Sequence, residues 1–280
     1  IVPYNLPTLE MALNNKSSAE IFLFTCYSFV PEHGKIGTDP GMDVGDEVWY
    51  YSDNSADYSN KTTFWIAKGM QNSNEPLVDY WNGAQWGKAM FVGIRDCNVF
   101  IENIDKVPDL SAYDKETWKA EAKVLKAFYH FWMMRMYGPI PIIKENIPVS
   151  AGEDEVRVVR DKIDDIVTYI VSLIDESVEY LPLNIQNEAA EMGRITRPAA
   201  KAIKAKILAF AASPFFNGNL DYANFKNAEG EPFFNQVYDN EKWTKAADAC
   251  LEAIQCAEDA GHGLYEFVNM SSTQLSDETI

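Results

Sequence analysis

Residues 46–65 gather six aromatic side chains, Trp49, Tyr50, Tyr51, Tyr58, Phe64 and Trp65, and interleave them with Asp53, Asn54 and Asn60. Sugars present apolar C–H faces, on which indole and phenol rings stack, and equatorial hydroxyls, which amides and carboxylates hydrogen-bond. Trp49, Tyr50, Tyr51, Asp53, Asn54 and Trp65 are therefore our candidate glycan-binding residues. The competing reading is that these rings only pack a long loop onto its scaffold.

Catalytic chemistry finds less support. The three histidines, His33, His130 and His262, have no second histidine at metal-ligand spacing, which argues against zinc. His130 falls inside an aromatic helix pattern and the other two sit beside glycines. No nucleophile elbow, phosphate loop or dinucleotide fingerprint occurs. Asp46-Glu47 is the best local candidate for a glycosidase acid pair, but adjacent residues seldom converge on one bond. Asp39, Asp43 and Asp46 could contribute oxygens to calcium, yet their spacing fits no EF-hand. We expect no enzyme activity, no cofactor and no metal.

Cys26, Cys97, Cys250 and Cys256 form no CxxC pair. All lie in helical patterns beside apolar neighbours, so buried free thiols are expected. A disulfide between distant pairs stays open, and cysteine does not settle the compartment. The formal net charge of −18 disfavours nucleic acid and anionic membrane surfaces, while leaving uncharged partners such as sugars unaffected. No apolar run approaches the roughly 20 residues that span a bilayer. The chain starts Ile-Val-Pro, so any signal or lipid anchor is expected upstream; its polar end, Ser271 to Ile280, leads us to expect an incomplete chain.

Helical periodicity must position the ring-bearing segment. Leu6 to Val30 reads as helix in two pieces broken near Asn14-Asn15, with Phe22, Cys26 and Phe29 on one face. Residues 31–76 have little period, and a loop of that length is unusual unless functional. Asp79 to Ile104 reads as helix, striped by Trp86, Met90, Ile94, Cys97 and Ile101. The next helix, capped by Asp114 and stopped by Gly138-Pro139, is apolar over so wide an arc that it must be buried between neighbours. Residues 140–147 read as a short extended piece, Arg160 to Leu181 as helix, Pro198 as the first turn of a helix ending near Ala212, and Trp243 to Ala260 as the last helix. A second aromatic, Asn-rich loop, Asn217 to Asn240, precedes that last helix. Trp81, Trp86, Trp132 and Trp243 fall at helical spacing and are expected in the core.

Paired helices suggest a repeat. Trp243, Ala246, Ala247 and Cys250 occupy tetratricopeptide helix offsets, and Trp86, Ala89, Met90 and Gly93 do so more loosely. The expected fold is mainly α: tetratricopeptide-like helix pairs with long irregular loops, in a single domain over residues 1–280.

Four sequence pieces carry a family resemblance. They are Gly93-Ile94-Arg95-Asp96-Cys97-Asn98; Glu121-Ala122-Lys123 through Tyr129 with Tyr137-Gly138-Pro139-Ile140-Pro141; Gly193-Arg194 through Ala212-Ser213-Pro214 to Phe216-Asn217-Gly218; and Trp243-Thr244-Lys245-Ala246-Ala247. In this order they resemble the SusD/RagB family, surface nutrient-binding lipoproteins of Bacteroidetes. The resemblance implies a lipid-anchored outer-membrane subunit at the cell surface. It would capture oligosaccharides, non-enzymatically, and deliver them to a SusC-type TonB-dependent transporter. A peptide-binding RagB-like subunit and a tetratricopeptide-type protein-interaction scaffold are the alternatives. The motifs are scaffold and carry no ligand residues over. Family members are considerably longer, and their C-terminal half contributes to the ligand face.

Overall fold

The computed structural model describes residues 13–32, 34, 39–45, 65–85 and 87–264. Among them, six helices exceed three turns: α1 (Lys16–Tyr27), α2 (Met90–Asn103), α3 (Ala112–Tyr137), α4 (Ile163–Asp175), α5 (Arg197–Ala212) and α6 (Glu241–Asp259). Sheet pairing among the described residues is limited to isolated bridges. The chain is mainly helical, as its periodicity predicts.

Helix α3 is the axis of the fold. Its apolar residues cover most of its circumference, and Val124, Leu125, Phe131, Trp132 and Met133 are all buried. Helices α1, α2 and α4 pack around it, and α5 links α4 to α6. The α5–α6 pair is built on small residues: Ala200, Ala205 and Ala211 are buried on one helix, Ala246 and Ala249 on the other. Such residues let two helices approach closely. Gly93 does the same for α2: a Cβ there would sit 2.9 Å from the Phe29 ring and 3.2 Å from that of Tyr129.

Helix ends follow local chemistry. Asn15 accepts from the Ser18 N–H at 2.9 Å, which starts α1 after the expected Asn14-Asn15 break. Thr196 caps α5 ahead of Pro198 in its first turn. Gly138, at φ 69°, ends α3 in the left-handed region open to glycine. Lys88 reaches two carbonyls beyond the end of α1, Ser28 O at 2.6 Å and Val30 O at 2.8 Å.

Five expectations are corrected. Helix α2 starts at Met90, not Asp79, because the Asp79 carboxylate accepts from the Trp81 and Asn82 N–H groups and folds residues 79–85 into a turn. The cap of α3 is Ser111; Asp114 supplies the N–H that it accepts, at 3.0 Å. Helix α4 spans only Ile163–Asp175, with a separate short 3₁₀ turn at Val178–Tyr180. Trp243 is not core but 43% exposed: α6 carries apolar residues on two sides, and α5 covers only one. Cys250 is likewise exposed, whereas Cys26, Cys97 and Cys256 are buried thiols as expected. Trp132 is fully buried, Trp81 partly so, and Trp86 lies outside the described residues.

The motif residues Glu121 and Arg194 form a knot under α1. The Arg194 guanidinium grips the Glu121 carboxylate twice, Nη2 to Oε1 at 2.7 Å and Nε to Oε2 at 3.2 Å. The Tyr27 hydroxyl donates to the same carboxylate at 2.6 Å and accepts from the Ile195 N–H at 2.9 Å. Burial pushes the Glu121 carboxyl up, and Arg194 and Tyr27 push it back. Removing one partner of such a pair leaves a buried charge uncompensated. Arg194→Ala should cost about 3–5 kcal/mol in denaturant unfolding, and adding Glu121→Gln to the same chain should recover part of the loss.

His130 lies fully buried on α3. Its Nδ1–H donates to Lys126 O at 2.8 Å, while Nε2 accepts from the Ile143 N–H at 3.1 Å. Only the neutral ring can do both, and burial lowers its pKa to about 4. Between pH 6.5 and about 4 the unfolded chain binds a proton that the native state does not, so this site loses stability as pH falls. The expected loss is about 3 kcal/mol from pH 7 to pH 4. Urea unfolding at both pH values checks it: the gap between wild type and His130→Gln should narrow by about that amount in acid.

Candidate functional site

Of the six residues predicted to meet a glycan, Trp49, Tyr50, Tyr51, Asp53 and Asn54 lie outside the described residues, as do Asp46, Glu47 and His33. Trp65 is described. Its indole is 36% exposed, and the Lys68 ammonium lies 5.2 Å from the ring centroid.

Both roots of this segment are firmly held. On the N-terminal side Asp39 is buried and accepts from the Gly34 and Gly41 N–H groups at 2.9 and 2.8 Å, with Arg135 of α3 at 3.7 Å. A Cβ on Gly41 would collide with that guanidinium. These contacts occupy the Asp39 carboxylate, one of the three acids weighed as calcium ligands. Among the described residues no cluster of three or more histidine, cysteine or acidic side chains could hold a metal. On the C-terminal side Ile66 packs on the core, and the Gln71 amide clamps the chain, accepting from the Leu77 N–H at 2.7 Å and donating to Val78 O at 2.7 Å.

The clamp leads into the turn at residues 79–85, where periodicity predicts helix. Gly83, at φ 82°, and the pinched Gly87, where a Cβ would lie 2.0 Å from Asp79 O, make the turn possible. The Asn82-Gly83 pair was its legible signal. The turn exposes Asn82 and Gln85, and Gln85 itself adopts φ 51°. That conformation is uncommon for a residue other than glycine and is a form of backbone strain that often accompanies functional loops.

Trp81 anchors the turn. Its ring meets Phe91 edge-on at 4.8 Å and Tyr137 at 5.6 Å, and the Arg160 guanidinium lies 5.3 Å from its centroid. The Tyr137 hydroxyl accepts from the Tyr80 N–H at 2.9 Å. Tyr80 in turn packs edge-on against Trp132 at 5.4 Å, and burial pushes its phenol up to about 12. Arg160 donates to Pro139 O. A ring and two exposed amides, that of Asn82 donating to Asp79, thus stand on one short turn with the Arg160 guanidinium against the ring, next along the chain from exposed Trp65. Such groups can stack on a sugar face and bond its hydroxyls without any reacting group.

The comparisons agree with this architecture. A family model described as "Starch-binding associating with outer membrane" matches residues 36–208, more than half of the chain. A SusD-like protein of Bacteroides ovatus is 31% identical over 99 residues, 35% of this chain and 16% of that protein. The solved structure of BT4246 superposes with a TM-score of 0.72 at 29% identity, covering 88% of this chain and 40% of that one. A structure described as a laminarin-binding SusD-like protein shares the fold, with a TM-score of 0.55 at 20% identity over 71% of this chain and 41% of that one. The chain thus spans less than half the length of these relatives. Its helical frame, its ordered motifs and the family match lead to one conclusion: the chain belongs to the SusD-like family.

Proposed function

We propose that this chain is part of a non-enzymatic glycan-binding lipoprotein on the cell surface, one that captures oligosaccharides and delivers them to a SusC-type TonB-dependent transporter. The match of residues 36–208 to a starch-binding, outer-membrane-associated family carries this reading. The laminarin-binding relative adds a glycan ligand on the same fold. Within the chain, the rings and amides of residues 46–65 and the turn at 79–85 offer sugar-recognition chemistry that supports this reading. His130, the buried histidine, is committed to two backbone groups, which supports a binding role over catalysis. No described helix is long and apolar enough to cross a membrane, so a lipid anchor is the form of attachment this reading uses. Residues 1–280 are read as one SusD-like helical domain.

The experiment is a glycan array followed by calorimetry on the best ligand. Trp49→Ala or Trp65→Ala should weaken binding roughly tenfold, the equivalent of about 1.4 kcal/mol. Trp65→Ala should leave the melting temperature nearly unchanged, as an exposed site does. Trp132→Ala, by contrast, should destabilise the fold by about 3–5 kcal/mol. Unchanged affinity in both ring variants would move the site elsewhere. Binding to peptides with no response to glycans would favour a RagB-like role.

A further inference from the structure

Two buried thiols lie outside the candidate surface. Cys26 on α1 and Cys97 on α2 are both fully buried and both free, and burial together with the neighbouring Cys26 thiol pushes the Cys97 thiol up. The helix register explains the meeting. Phe22 packs against Phe100 at 5.9 Å, and Phe29 packs over Gly93. From α1 into the turn that follows it, positions 22, 26 and 29 face positions 100, 97 and 93 of α2. Three successive rungs, about one helical turn apart, thus join two antiparallel helices, and the cysteines form the middle rung. Gly93 keeps the helices close at the adjacent rung, since a Cβ there would meet the Phe29 ring. Disulfide geometry demands this kind of close, facing approach. Cys250 and Cys256 are differently placed, one exposed and one buried on α6.

We propose that Cys26 and Cys97 are a disulfide site, closed when the protein folds in an oxidising compartment. The oxidant is a protein or small-molecule disulfide. One cysteine thiolate attacks it and expels a thiol, forming a mixed disulfide; the second thiolate attacks that bond and expels the other thiol. Two cysteine S–H bonds and one oxidant S–S bond become one cysteine S–S bond and two oxidant thiols, and the two protons leave with those thiols. Thiolates are the reacting species. Burial of both sulfurs therefore sets the order: exchange comes first, and docking of α1 seals the bond. The closed loop contains residues 27–96, so both the ring-bearing segment and the turn at 79–85 are bounded by one covalent link. The inference is independent of which ligand the protein binds.

The test is refolding in a glutathione redox buffer, followed by thiol counting under denaturant and non-reducing tryptic mass spectrometry. We expect two free thiols per chain in place of four, and a linked pair of peptides, residues 17–35 with 96–106. Reduction should lower the melting temperature by about 5–15 °C. Cys26→Ala or Cys97→Ala should abolish the link, and the Cys250→Ala/Cys256→Ala double variant should retain it. Four free thiols in refolded wild-type protein, or a bridge that uses Cys250 or Cys256, would overturn the proposal. The wild-type readouts decide the matter even where an alanine variant fails to fold.

Discussion

The rest of the structure depends on the burial of α3. A helix enclosed on nearly all sides still carries polar side chains, and each must find a partner away from water. Thr117 donates to Tyr180 O at 3.1 Å, and Glu121 takes Arg194 and Tyr27. Lys126 donates to Lys144 O at 2.6 Å, and His130 holds Ile143 and its own helix. Arg135 faces Asp39. These five positions recur every four or five residues and tie four segments to the axis, Lys126 and His130 sharing the one at residues 143–144. Apolar packing alone is non-directional. The polar rungs decide where each segment docks.

The same constraint explains which features the sequence made legible. Wide apolarity between residues 120 and 137 announced a buried helix, and its stop at Gly138 was plain. Nothing local distinguishes Lys126 from a surface lysine, yet burial lowers its pKa to about 8 and its ammonium lies over the Tyr169 ring at 5.7 Å. That outcome belongs to tertiary contact with residues 144 and 169. The start of α2 failed for a different reason. Apolar spacing from Trp86 onward mimicked helix, and the carboxylate of Asp79, competing for backbone N–H groups, overrode it. Trp243 failed because periodicity detects apolar faces without showing which face is covered. At the candidate site, composition singled out Trp65 and the rings before it. Trp81 was noticed but assigned to the core, although it is only partly buried and stands on a turn.

Charge and ring placement bear on function together. With 42 acidic and 24 basic residues, the chain repels anions at long range. Many of the described cations are already engaged: Lys88 with carbonyls, Lys119 with Asp105, Lys204 with Asp175, Lys242 with Asp164. A ligand recognised by rings and amides is insensitive to that field. Arg160 fits this pattern, because it lies against the Trp81 ring and donates to a carbonyl instead of facing an acidic partner.

A division of labour follows. Glu121, Arg194 and Gly138, which carry the family resemblance, are committed to the frame: one as the centre of a buried knot, one as its clamp, one as a helix stop. A resemblance carried by such residues therefore reports how the helices are held, and it says little about what is bound. On the reading proposed above, ligand choice rests on exposed residues beside this frame, with Trp65, Asn82 and Gln85 as the described candidates, Asn82 also donating to Asp79. Rigid roots matter because a shallow polar ligand gives little binding energy per contact, and ordering a loose loop on binding would cancel much of it. The Gln71 clamp, the Asp79 turn and the Asp39–Arg135 contact hold the described backbone on either side of residues 46–64, which suits the proposed binding role.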